Sequence, residues 1–139
     1  MKHNDYYMKR RLKNVKESWY SPECVALSKH YSLNVHWITL WAFGGQAKNA
    51  TYKTGWTFDP KYWEQYVPWP SVAILQGDII ILNIWNDGHV CVGHNQSIEW
   101  FYCIEQNRNN TKTGKWEDAI NIGYYPFSLI KNIYRKKPL

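Results

Sequence analysis

Three cysteines and no Cys-x-x-Cys pair leave too few thiols for a disulfide framework and argue against a zinc site. Long apolar runs are also missing. The longest aliphatic stretch, Ile79-Ile80-Ile81-Leu82, is far shorter than a bilayer-spanning helix, so no membrane insertion is expected. No apolar segment follows the basic N-terminus, so no secretory leader is expected. Acidic residues are the minority sign, 11 against 17 basic, and the stretch from Lys9 to Pro22 holds no aspartate at all. Charged residues make up only 20% and hydrophobic ones 45%, which excludes a disordered chain and suits one globular domain over 139 residues.

The excess positive charge gathers at the two ends. Lys2, Lys9, Arg10, Arg11, Lys13 and Lys16 crowd the first, and Lys131, Arg135, Lys136 and Lys137 the second. Such a balance suits an anionic partner, with simple solvation of two surface segments as the plain alternative. Aromatic residues reach 17%, including nine tryptophans. Most suit a core, but exposed rings could stack on sugars or bases.

Along the chain, Met8, Leu12, Val15 and Trp19 recur at helical spacing and predict a basic amphipathic helix over about residues 5–17. Ser21 as N-cap and Pro22 as first residue open a second helix reaching about Tyr31. Gly44-Gly45 marks a turn, and Asp59-Pro60 opens a short third helix to about Tyr66. The pattern then turns to β. Ile79–Trp85 is near-continuously apolar, Asn86-Asp87-Gly88 is a hairpin turn, and His89–His94 returns. Ile98–Gln106, Ile120–Tyr125 and Leu129–Tyr134 follow as strands, with a polar loop over Asn107–Trp116.

Chemistry gathers on a few of these positions. Cys24 falls in the first turn of the second helix, where unpaired N–H groups and the dipole favour an anion. Strand alternation puts His89 and Cys91 on one face, and Cys103, Glu105 and Asn107 likewise on one face. A hairpin centred on residue 97 would set His89 opposite Glu105 and Cys91 opposite Cys103, which would make the last two neighbouring reduced thiols. In that arrangement Cys24 is a nucleophile, His89 its base and Glu105 the group that orients the imidazole. Each residue alone also has a plain structural explanation as packing or solvated surface.

The segments Trp19–Leu27, Gly77–Ile81, Gly88-His89-Val90 and Ile104–Asn107, taken in order, resemble the CHAP domain, the cysteine- and histidine-dependent amidohydrolase/peptidase family of phage endolysins and bacterial wall hydrolases. Gly45–Asn49 resembles the family's Gly-Asn-Ala-rich stretch. The resemblance implies an α+β, papain-like fold; it covers most of the chain, so a single catalytic domain is expected over residues 1–139, without the separate wall-binding domain that many endolysins append. It also implies cleavage of peptidoglycan amide bonds, as an amidase or an endopeptidase, by Cys24, His89, Glu105 and Asn107. Trp37, Trp41, Trp56 and Trp69 are the candidate substrate-binding residues; no cofactor and no metal are expected.

The expected partners are Gram-positive peptidoglycan, anionic wall polymers and a phage virion or lysin subunit. The expected location is the host cytoplasm before holin-dependent release, or the virion. Glu23 stands where many relatives carry glutamine, which puts an oxyanion role for that position in doubt. The rival classes are a catalytically inactive CHAP-like binding or virion module and, on charge and aromatics, a nucleic-acid binder; no nucleic-acid partner is expected.

Overall fold

The computed structural model describes residues 1–13, 24–41, 43, 46–66, 72–106, 108–110, 115–117 and 119–138, without the side chains of 108–110 and 115–117. Two helices, α1 (His3–Arg10) and α2 (Cys24–Tyr31), precede eight strands. These are β1 (Trp63–Tyr66), β2 (Ile79–Leu82), β3 (His89–Gln96), β4 (Trp100–Glu105), β5 (Arg108–Asn110), β6 (Lys115–Glu117), β7 (Asn121–Pro126) and β8 (Ile130–Lys136). Six of them form one sheet in the order β1-β8-β2-β3-β4-β7, every neighbour antiparallel. The architecture is α+β. Among the described residues no helix is long and apolar enough to cross a membrane.

The central strands are apolar without interruption because both sheet faces are covered. Ile79, Ile81, Val90, Val92 and Ile104 meet Leu27 and Tyr31 of α2 and Tyr6 of α1 on one face. Ile80, Leu82, Cys91, Phe101, Cys103, Tyr125 and Ile133 form a second core on the other face, drawn from the strands themselves and from Phe127. The predicted alternation along β3 and β4 is therefore observed.

Several elements differ from expectation. Helix α1 stops at Arg10, and Leu12 takes a positive φ of 61°. Its predicted apolar face is the wrong one: Met8 and Leu12 are exposed, while His3 and Tyr6 are buried. Hydrogen bonds to Tyr31, His30 and His94 draw that polar aromatic face inward. Val15 and Trp19 lie outside the described residues, as do the Ser21-Pro22 start of the second helix and Gly44-Gly45. Helix α2 ends at Tyr31 as expected and continues as a π-helical turn to His36.

The predicted third helix is a turn followed by strand β1. Asp59 does cap the turn, accepting from Lys61 N at 2.9 Å, but Trp63–Tyr66 then pairs with β8 and Trp63 is wholly buried. Edge pairing and burial outweigh the local helical signal. Strand β2 ends at Leu82, short of Trp85, and the predicted loop over Asn107–Trp116 contains the β5–β6 hairpin.

The register between β3 and β4 also differs. Cys103 pairs with Gly93, two residues further along β3 than Cys91. The turn closes at Ser97–Trp100, and a bulge accommodates His94 between Gly93 and Asn95. Before the bulge the displacement is an even number of residues, which leaves the side chains from His89 to Gly93 on their predicted faces. For that reason the expected cluster survives the slip.

A candidate cysteine–histidine–glutamate active site

Three elements deliver the candidate residues. Cys24 is the first residue of α2, which packs along β3. His89 is the first residue of β3, and Glu105 the last of β4. His89 Nε2 donates to Glu105 Oε1 at 2.8 Å, with both side chains buried. Cys24 hydrogen-bonds His89 as well, and the ring nitrogen left for the thiol is Nδ1. Burial works against charge on His89, but the hydrogen bonds and negative charge of Cys24 and Glu105 outweigh it and push the imidazole up to about 10. At neutral pH the electrostatics therefore favour an imidazolium at His89, held between Cys24 and Glu105.

The turn that carries His89 is buttressed by the Gln46–Asn49 segment. Lys48 N donates to Asp87 O at 3.0 Å, Lys48 Nζ to Asn86 O at 2.8 Å, and Gln46 Nε2 to Asp87 Oδ1 at 2.8 Å. Gly88, at φ 72°, passes so close to Lys48 that a Cβ would sit 2.9 Å from the Lys48 backbone nitrogen. Both its conformation and its contact require glycine there.

Cys24, His89 and Glu105 are brought together; Asn107 lies outside the described residues, as do Glu23 and Trp69. Trp37, Trp41 and Trp56 are exposed. Trp37 follows the π-helical turn, at the opposite end of the helical run from Cys24 and on the order of 15–20 Å along the axis. Among the described residues an indole in contact with His89 is Trp85, edge-on at a centroid distance of 4.9 Å and held at φ 56°. A bulky residue with positive φ stores strain, which persists only where its surroundings enforce it. Nothing in the local pattern marks Trp85 apart from its place in the turn before His89.

Sequence reasoning also missed Tyr125, whose hydroxyl donates a short hydrogen bond to Glu105 Oε1. Its only advance signal is alternation, which sets it on the sheet face of Glu105. Cys91 and Cys103 are buried free thiols in hydrogen-bond contact, as expected, and burial followed by Cys91 pushes the Cys103 thiol well up. Neither has the exposure or the cationic neighbour of a reactive cysteine. Among the described residues no group of acidic, histidine or cysteine side chains could hold a metal ion.

No protein-family model matches the chain, and no curated protein matches it. Among solved structures, it is similar to the crystal structure of a wild-type endolysin, LysIME-EF1, with a TM-score of 0.70 and 17% sequence identity. The match covers 97% of this chain and 64% of that one, so this chain spans somewhat less than two thirds of the endolysin's length. At that identity the likeness establishes a shared fold.

Proposed function

We propose that this protein is a cysteine-dependent peptidoglycan hydrolase with the papain-like CHAP arrangement. The observation that carries the reading is the hydrogen-bonded chain Cys24–His89–Glu105, buried at His89 and Glu105 and reached by a partly exposed thiol. The endolysin fold and the ordered CHAP-like segments add the substrate class.

In this mechanism the Cys24 proton passes to His89 and the thiolate attacks the carbonyl carbon of an amide. Backbone N–H groups at the start of α2 face the resulting oxyanion. His89 returns a proton to the leaving amine as the C–N bond breaks, leaving a thioester on Cys24. Water, deprotonated by His89, then releases the carboxylate and regenerates the thiol. Glu105 fixes the imidazole tautomer and stabilises the imidazolium throughout. The bond cut is either the muramoyl–L-alanine amide or a stem or cross-bridge peptide. The protein acts on Gram-positive wall as a phage lysin, released from the host cytoplasm or carried on the virion.

The test is clearing of purified Gram-positive peptidoglycan. The wild type is expected to clear it, and Cys24→Ala to lose all activity while keeping its fold. Equal clearing by both proteins would remove Cys24 from the chemistry. New amino termini in the digest would identify the bond.

A further inference from the structure

Glu105 is a fully buried carboxylate, and β7 is shaped around it. Tyr125 donates to the same Oε1 that accepts from His89 Nε2. Gly123, two residues earlier on the same face of β7, leaves the space that the other carboxylate oxygen occupies; any Cβ there would overlap it. Tyr125 packs in the same core as Phe101 and Phe127, at centroid distance 6.1 Å from the first, and lies 6.0 Å from the His89 ring.

We propose that Gly123 and Tyr125 make β7 a positioning device for the candidate site: the glycine admits the Glu105 carboxylate and the tyrosine hydroxyl holds it turned onto His89. The inference rests on the proposed Cys24–His89 chemistry and extends it by two residues that touch no substrate. A buried carboxylate stays charged only while donors hold it. Without Tyr125 the carboxylate loses that donor and turns away from the imidazole. The imidazole then loses its orienting partner, and its hydrogen bond to Cys24 is no longer held in place.

The titratable groups facing Glu105 are His89 and Cys91 from β3, Cys103 from β4 and Tyr125 from β7, with Cys24 of α2 beyond the imidazole. Burial and the Glu105 charge push the tyrosine hydroxyl up, so it remains a donor at any working pH. The Cys103 thiol is likewise held protonated.

The experiment is the rate of iodoacetamide alkylation at Cys24, located by peptide mass mapping, across about pH 5 to 9. It compares the wild type, Tyr125→Phe, Glu105→Gln and the double variant. Tyr125→Phe keeps the ring against Phe101 and Phe127, so a purely packing role predicts the wild-type profile. The expected result is a fall of about ten-fold at about pH 6 in Tyr125→Phe, the size set by one hydrogen bond to a charged group. Glu105→Gln should fall further, and the double variant should match it, because Tyr125 acts only through Glu105.

A Tyr125→Phe profile that follows the wild type while Glu105→Gln shifts would overturn the positioning role and leave the proposed function standing. Wild-type Cys24 reacting no faster than a free thiol peptide would overturn both. Should Tyr125→Phe fail to fold, Gly123→Ala provides the second arm: the same acid-side loss is expected, and a wild-type profile would overturn the proposal.

Discussion

At the scale of single residues, the candidate site depends on positions that carry no chemistry of their own. Gly88 fixes the turn that presents His89, Gly123 makes room for Glu105, and Trp85 abuts the imidazole. Gly88→Ala would force an L side chain into positive φ and against Lys48, at a cost of about 1–3 kcal/mol. It should also displace His89, so wall clearing is expected to fall by more than the loss of folded protein. Urea unfolding alongside a clearing assay separates the two effects, and unchanged values in both would refute this account of Gly88. Cys24, His89 and Glu105 were legible in the sequence because their types, order and spacing carry chemistry. Tyr125 and Gly123 were not, because only the β4–β7 register sets them against Glu105.

At the scale of elements, a partly buried ion pair ties the start of β2 to β8. Arg135 donates from Nε to Asp78 Oδ1 at 2.8 Å and from a terminal nitrogen to Oδ2 at 2.7 Å. It also donates to Ala73 O at 2.7 Å and lies 4.9 Å over the Tyr66 ring, while Asp78 Oδ2 accepts from Leu75 N. Arg135 is thus a strut between strands and is not available to an anionic wall as its place in the basic C-terminal run suggested. Asp78→Ala leaves a partly exposed guanidinium without its carboxylate and is expected to destabilise the fold by about 1.5–3 kcal/mol. Chemical denaturation measures this, and a loss under about 1 kcal/mol would show the pair to be no more than a surface contact. The same scale exposes where pattern reading failed. Asp59-Pro60 carries a helix-start signal that operates for one turn, and the burial of Trp63 beside β8 then decides for strand.

At the scale of the whole molecule, the histidines set two opposing pH flanks. His3, His30, His36 and His94 join α1, α2 and the sheet through tyrosines and a backbone carbonyl. Tyr31 donates to His3 Nδ1 at 2.6 Å, and His3 Nε2 lies 2.8 Å from His94 Nδ1, so this network suits neutral rings. Burial, then His94 and His36, hold His3 down to about 4. Burial also lowers His30, His36 and His94.

Such a group favours the fold above its unfolded value of 6.5, and that contribution is lost as pH falls from there toward 4. His89 has the opposite sign. Its pairing contributes fully below 6.5 and is lost as pH rises through about 10. The melting temperature is therefore expected to peak near pH 6.5 and fall on both sides, with His3→Gln flattening the acid flank alone. Thermal unfolding by circular dichroism reads this directly. An acid flank equally steep in His3→Gln would show that the α1 network plays no part.

What the sequence determined by itself was local and periodic. Alternation assigned the faces of β3 and β4, turn residues placed the hairpin before His89, and the ordered segments that resemble the CHAP domain implied the α+β class. Residue chemistry picked out Cys24, His89 and Glu105. These signals survive because the two-residue change of register ahead of the His94 bulge preserves the faces of the site residues. What only the tertiary structure decided was which elements meet: the strand at Trp63–Tyr66, the inward turn of His3 and Tyr6, the bulge at His94, and the Tyr125–Gly123 cradle. Each depends on contacts between segments far apart in the chain, where burial and hydrogen bonding to a distant partner outweigh the fraction of a kilocalorie that local propensity supplies.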